Sequence, residues 1–230
     1  RSTLFPYTTL FRSPYRGAAI LAAALPSGIS LCFASPMRRT RKIRSSSPTA
    51  AIAPAHDAMP NRLRIIGGRW RGVPVTFPPL PALRPSPDRV RETLFNWLQP
   101  VIVDARCLDL FAGSGVLGIE ALSRGASYVE FVDSEPRVGR HLEGTLERLD
   151  ATGGVVHVAE ALKFLAGSPR AFNIVFLDPP YASNLLEQVC EKLAAGGWLA
   201  QGAFIYLESA TDRPLPNLPP ALYGDRKSVV

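Results

Sequence analysis

Apolar positions follow two rhythms through the central part of the chain. Short, almost continuous apolar runs at Cys107–Phe111, Tyr128–Asp133, Val155–Ala159, Phe172–Asp178 and Ala203–Glu208 predict buried strands. Between them the spacing lengthens to three and four residues, as in Val138, Leu142, Leu146 and Leu149, which predicts a helix over Pro136–Leu149 with proline in its first turn. Further helices are predicted at Gly115–Arg124, stopped by Gly125, at Ala161–Leu165, and at Ser183–Ala195, ended by Gly196 and Gly197. Strands alternating with helices imply an α/β fold with a mainly parallel sheet covered on both faces. Upstream, Arg62–Gly72 gives two short β-like runs around Gly67 and Gly68, continuing into Val73–Phe77, which predicts a small hairpin. A proline-rich connector, Pro78–Pro87, leads to a predicted helix at Asp88–Gln99. Val90, Leu94, Phe95, Trp97 and Leu98 form its apolar face, and Ser86 or Asp88 is its expected cap.

Composition changes the picture at the ends. The 230 residues are 47% apolar and 20% charged, which suits one folded domain or two small ones, and no apolar run is long enough to predict a membrane helix. Cys32, Cys107 and Cys190 are far apart and form no C-x-x-C pair, which argues against a zinc cluster or disulfide framework and suits a reducing compartment. The net charge of +7 suggests a polyanionic partner, but its position matters more than its size. Residues 1–61 hold eight basic side chains and one acid, so most of the excess lies ahead of the predicted elements. Residues 62–92 carry seven arginines and two acids, and residues 93–224 are acidic. Residues 3–13 read as an in-frame translation of a sequencing adapter, and residues 225–230 as its reverse complement, ending at a stop codon. Segments 1–13 and 225–230 are therefore expected to be foreign. Residues 14–61 are expected to be a non-native or disordered basic tail, with Met37 or Met59 as the natural start.

Candidate chemistry gathers at the ends of the predicted strands. Gly113, Gly115 and Gly118 fit G-x-G-x-x-G between the first strand and its helix, a pattern that lets backbone approach a ligand closely but that dinucleotide enzymes share. Asp109 lies in the strand before the loop, where a buried carboxylate needs a partner; a cationic amino-acid tail is one candidate. Asp133 ends the next strand, where its carboxylate can accept both hydroxyls of a ribose. NAD would account for Asp133 but not for Asp109. Farther on, an apolar strand runs into Asp178-Pro179-Pro180-Tyr181. The Asp178 carboxylate and the Pro179 carbonyl can accept hydrogen bonds from an aromatic amine, favouring a pyramidal nitrogen, and Tyr181 can stack on the base. His56, His141 and His157 are scattered, form no triad or metal pattern, and are expected to be non-catalytic.

Together these motifs resemble class I S-adenosylmethionine-dependent methyltransferases that act on amino nitrogens. Arg64-Ile-Ile-Gly-Gly-Arg-Trp-Arg-Gly72 and Leu83–Leu98 narrow the resemblance to the bacterial 16S ribosomal RNA guanine-N2 methyltransferase family, over about Arg62 to Tyr223. The resemblance implies a Rossmann-like sheet of seven strands with one antiparallel. Residues 62–99 would form an RNA-facing hairpin and helix, and residues 100–224 the methyltransferase domain, truncated at its C-terminus. It implies that Asp109, Phe111, Gly113, Ser114, Gly115, Asp133, Glu160 and Ala161 hold S-adenosylmethionine, and that Asp178, Pro179, Pro180 and Tyr181 are the catalytic corner. Arg69, Trp70 and Arg71 become candidates for RNA contact. Arg84, Arg89 and Arg91 are candidates for phosphate contact or for ordering their segment, with salt bridging to Glu92 or Asp88 as the alternative. No metal is implied. The implied partner is 16S ribosomal RNA or an assembling small subunit, with a monomeric cytoplasmic enzyme and no membrane. The last antiparallel strand is expected to be missing, leaving the edge of Ala203–Glu208 open. Rival readings are a DNA adenine-N6 or other amino-group methyltransferase, an NAD-dependent oxidoreductase, and an inactive RNA-binding fragment.

Overall fold

The computed structural model describes residues 61–78, 87–179, 185–208, 219 and 222, together with the backbone of 11–12 and 18–21. The strands are β1 (Phe11–Arg12), β2 (Ala18–Leu21), β3 (Asn61–Arg64), β4 (Pro74–Phe77), β5 (Arg106–Asp109), β6 (Tyr128–Asp133), β7 (Gly154–Val158), β8 (Phe172–Leu177) and β9 (Leu199–Glu208). The helices are α1 (Asp88–Leu98), α2 (Val116–Ser123), α3 (Pro136–Arg148), α4 (Ala161–Phe164) and α5 (Leu185–Ala195). Seven strands form one sheet in the order β1-β2-β9-β8-β5-β6-β7, and β3 pairs with β4 in a separate antiparallel hairpin. Strands β9, β8, β5, β6 and β7 are mutually parallel.

The near-continuous apolar runs have a simple cause: side chains alternate across a sheet that is buried on both faces. Cys107, Val129, Phe131, Ile174, Phe176 and Tyr206 pack into one core with residues of α1, α2 and α3. Their neighbours Leu108, Val132, Val175, Leu177, Ile205 and Leu207 pack into a second core with Ala161 of α4 and Leu186, Val189, Cys190 and Leu193 of α5. The strand assignments hold to within three residues at most ends, except that β9 starts four residues before the expected Ala203. A register shift between Leu199 and Phe204 accompanies that extension, with Gly202 at φ 74. No helix among the described residues is long and apolar enough to cross a membrane.

Two expectations are corrected. Asp88 does not cap α1: Pro87 occupies the cap position without a side-chain bond, and Asp88 begins the helix and pairs with Arg91. Ser86 lies outside the described residues. Nor is the edge of Ala203–Glu208 open. Residues 18–21 pair antiparallel with it, setting Leu21 against Ile205 and Ala18 against Glu208, and 11–12 pair in turn with 19–20. An unpaired β-ladder bonds through main-chain groups, so an extended segment of unrelated sequence can cover it.

The hairpin docks on α2 and α3 through polar contacts rather than packing alone. Both carboxylate oxygens of Glu120 accept backbone N–H bonds, from Ile66 and from Gly67, each at 2.8 Å. Ser123 Oγ donates to the Gly67 carbonyl at 2.6 Å and accepts from the Trp70 N–H at 3.0 Å. The Arg69 N–H bonds the Ser123 carbonyl at 2.7 Å. This approach requires glycine at position 68: its φ is 75°, and a Cβ there would stand 1.8 Å from the Ser123 carbonyl oxygen. His141 of α3 bonds the Thr76 carbonyl of β4, which gives that histidine a structural role. His157 Nε2 lies 3.0 Å from Glu130, whose carboxylate also accepts from Arg170.

Candidate active site

The C-terminal ends of the parallel strands form a rim where neighbouring elements bring four acids together. Asp109 ends β5, Asp133 ends β6, Asp178 follows β8 directly, and Glu208 ends β9. Pairing of Asp109 with Phe176, and of Leu207 with Leu177, sets Asp178 between the two neighbouring strand ends. Ligands of open α/β sheets bind beyond this edge of the sheet.

The glycine-rich loop crosses the rim between β5 and α2. It is anchored on both neighbouring strands, since the Leu110 N–H bonds the Phe176 carbonyl at 3.2 Å and the Ala112 N–H the Val132 carbonyl at 2.9 Å. Gly113 and Gly115 adopt positive φ angles of 50° and 71°. Gly115 is the N-cap of α2, and a side chain there would meet Leu142 at 2.1 Å, so the turn is closed by the fit of α2 against α3. Gly118 packs its open side on the Phe131 ring of β6. Ser114 is buried, with its Oγ 3.4 Å from the Val116 N–H, and Phe111 is half-buried beside the second core.

Asp109 is only 3% exposed, and its Oδ2 accepts the Gly118 N–H at 3.1 Å. Burial pushes its carboxyl up to about 7; the Gly118 bond opposes that rise, and the Asp133 charge adds to it. Asp133 is half-buried and accepts the Gly113 N–H on Oδ2 and the Glu135 N–H on Oδ1, each at 2.9 Å. Two bonds leave lone pairs on both oxygens for further donors. The backbone of Glu160 precedes α4, its exposed side chain pairs with Lys163 at 2.7 Å, and Ala161 is buried.

Asp178 is partly buried and Pro179 is buried. Burial raises the Asp178 carboxyl well above the usual range, and the neighbouring Glu208 and Asp109 charges and a hydrogen bond with Glu208 push it the same way. Pro180 and Tyr181 lie outside the described residues, as does Arg84.

The arginine-rich segment divides into two kinds of residue. Arg69, Arg71 and Arg89 are exposed and Trp70 is half-buried; the Arg69 guanidinium lies 5.5 Å from the Trp70 ring centre and 3.8 Å from the carboxylate of exposed Asp150. Arg91 is different, and its candidacy for phosphate contact is corrected. Its side chain is fully buried, donates to the Arg64 carbonyl at 3.0 Å and to Asp88 at 2.6 Å, and lies 3.5 Å from Glu120. It orders the segment, with Asp88 as partner. The sequence reading missed Glu120 and Glu208. Each is a carboxylate set in an apolar stretch, the same signal that singled out Asp109.

Residues 63–228 match the model of the family described as Conserved hypothetical protein 95. The chain is 50% identical over 158 residues to Ribosomal RNA small subunit methyltransferase D of Escherichia coli (strain K12), covering 69% of this chain and 80% of that protein. It is 44% identical over 157 residues to the protein of the same name from Haemophilus influenzae, covering 66% and 81%. The solved structure described as "Putative methyltransferase yhhF from Escherichia coli" superimposes with a TM-score of 0.65 at 48% identity, covering 70% of this chain and 87% of that one.

Proposed function

The chain belongs to the Conserved hypothetical protein 95 family, and we propose that it transfers a methyl group from S-adenosylmethionine to the exocyclic N2 of one guanine in 16S ribosomal RNA. It is a methyltransferase with a Rossmann-like α/β fold, like its named relatives. The observation that carries the finer reading is the convergence of Asp109, Asp133 and Asp178 on one rim around a glycine-rich loop.

The donor set fits the cofactor. Asp109 is a buried carboxylate with one hydrogen bond, so a cationic amino group beside it would stabilise its ionised form. Asp133 keeps acceptor capacity for a ribose diol. Phe111, Gly113, Ser114 and Gly115 complete the loop, with Glu160 and Ala161 on the next strand connection for the adenine. When bound, S-adenosylmethionine supplies a methyl group on a positively charged sulfur, open to direct attack. Asp178 and the Pro179 carbonyl hold the acceptor amine in place; Pro180 and Tyr181, outside the described residues, keep the roles that the sequence motif assigns them in the catalytic corner, with Tyr181 stacking on the base. Such positioning supplies much of the rate. Arg69, Trp70, Arg71 and Arg89, with Arg84 beyond the described residues, make the RNA-facing surface. The weak pairing of two exposed groups, Arg69 and Asp150, is easily replaced by a phosphate. The enzyme acts as a cytoplasmic monomer on 16S ribosomal RNA or on an assembling small subunit.

Asp109 gives a pH prediction. Its folded-state carboxyl titrates near 7, above the ordinary 3.8, so ionising it costs stability over that range as pH rises. A cationic ligand beside it reverses the preference and expels the proton. S-adenosylmethionine is therefore expected to bind more tightly as pH rises towards about 7 and to level off above, with proton release below that pH. Calorimetric titrations in buffers of different ionisation enthalpy read this directly; binding that is flat in pH with no proton release would remove Asp109 from the site. The acceptor is tested by offering ribosomal RNA and duplex DNA to the same preparation, with methyl incorporation expected in the RNA alone.

A further inference from the structure

Arginines among the described residues divide by whether they have a partner. Arg91 and Arg124 meet Glu120, Arg170 meets Glu130, Arg69 meets Asp150, Arg148 donates to Thr145, and Arg106 lies over the Tyr128 and Phe172 rings. By contrast, Arg62, Arg64, Arg71, Arg137 and Arg140 are exposed, and their side chains have no ion pair, hydrogen bond or ring contact among the described residues. They are not scattered. Arg62, Arg64 and Arg71 lie on the hairpin, Arg137 and Arg140 on the first two turns of α3, and the His141 bond to the Thr76 carbonyl joins the two elements. Leu63, Val75 and Phe77 turn towards the interior, so alternation puts Arg62 and Arg64 on the outer face of the hairpin. Arg62 is the cross-strand neighbour of Thr76, and Arg137 lies one helical turn before His141, on the side of Asp133 and the rim. The two arginines therefore flank the same contact. The exposed acids Glu143 and Glu147 lie farther along α3, away from the rim, and Glu135 caps the helix by accepting the Arg137 N–H at 3.2 Å. Arg137 sits in the first turn, where the helix dipole favours an anion, and Arg140 adds a like charge three residues on. Neither placement helps the helix.

We propose that Arg137 and Arg140 bind phosphate groups of the RNA and, with Arg62 and Arg64, form a basic strip that leads its backbone from the hairpin to the catalytic rim. The inference rests on the RNA reading above and extends the RNA surface from the hairpin onto the methyltransferase domain itself. An exposed guanidinium without a carboxylate partner can make two parallel hydrogen bonds to a phosphate. A row of them replaces counterions along a polyanion without reading its sequence. Residues 93–224 are acidic as a whole, so Arg137 and Arg140 mark one line of approach on a surface that otherwise repels RNA. The base to be methylated must leave its stack to reach Asp178, and the neighbouring backbone then has to be held close to the rim. Arg137, four residues after the strand-end acid Asp133, stands where that hold is needed.

The test measures binding of a 16S ribosomal RNA transcript by the full chain across salt concentrations, beside methyl transfer to the same transcript. Joint Arg137→Gln and Arg140→Gln substitution is expected to flatten the slope of log affinity against log salt by about 1.4 to 1.8, since each phosphate contact contributes about 0.7 on a single strand and about 0.9 on a duplex. Affinity near 0.1 M salt is expected to fall on the order of tenfold. Joint Arg62→Gln and Arg64→Gln substitution should act in the same direction. Lys192→Gln is the control: it removes an exposed charge from α5, on the opposite face of the sheet, and should leave the slope nearly unchanged. Thermal stability of the α3 variant is expected to hold or rise, because its lost charges opposed the helix dipole or each other, which separates an RNA-binding defect from unfolding. If the double variant does not fold, each single substitution is expected to give about half of the slope change. An unchanged slope in the α3 variant, in a chain that methylates ribosomal RNA, overturns the strip and leaves the acceptor assignment standing. An equal loss in Lys192→Gln overturns it too, since net charge and not position would then be acting. A flattened slope confined to the strip, in a chain that binds ribosomal RNA but methylates none, supports the strip and overturns the acceptor assignment.

Discussion

Replacing Asp178 by alanine is expected to lower turnover by on the order of 10²–10⁴-fold while leaving S-adenosylmethionine affinity nearly unchanged. The side chain follows a strand whose Ile174–Leu177 core is buried on both faces, so its position is set by the sheet rather than by its own contacts. Removing it deletes an acceptor for the amine. It also removes a like charge from the crowd formed with Glu208 and Asp109. Thermal stability is therefore expected to hold or rise, which separates a catalytic defect from a folding one. Turnover near the wild-type value would remove Asp178 from the chemistry.

Glu120→Ala is expected to have the largest effect on stability. Glu120 is fully buried and accepts from the Ile66 and Gly67 backbones and from Arg124 Nε at 2.9 Å, with Arg91 at 3.5 Å. Truncation leaves two backbone donors unbonded and deprives two guanidiniums of a carboxylate. Breaking a buried pair by removing one partner costs about 3–5 kcal/mol. Arg91 keeps Asp88 and the Arg64 carbonyl, so the lower end of that range is expected. Equilibrium denaturation measures the loss. Because the hairpin hangs on these bonds, KM for RNA should rise in any protein that remains folded, with S-adenosylmethionine affinity less affected. A stability loss as small as that of an exposed ion pair would contradict the docking role.

The strand-end acids Asp109, Asp133 and Asp178 were legible because each ends an apolar run that could only be a buried strand. The glycine-rich loop was legible because glycines at that spacing follow such a strand. The pairing of Arg91 with Asp88 was open in the sequence as a neighbour three residues away, but its burial was not, because a basic segment reads as a solvated or RNA-facing surface until the fold brings the buried Glu120 carboxylate, 29 residues away, to meet it. Glu120 and Glu208 carried the same local signal as Asp109, yet their partners lie on other elements: the hairpin for one, the neighbouring strand end for the other. The covered edge of β9 was illegible for a different reason, since main-chain pairing leaves little mark on side-chain pattern.

The proposed reaction changes one atom of one nucleic acid. Purified protein incubated with 16S ribosomal RNA and S-adenosylmethionine, followed by nuclease digestion and mass mapping of the fragments, locates the added methyl group. A single guanine carrying one methyl on its exocyclic N2, absent from the Asp178→Ala reaction, is the predicted result. Methyl groups on another base, or on a ring nitrogen of guanine, would contradict it.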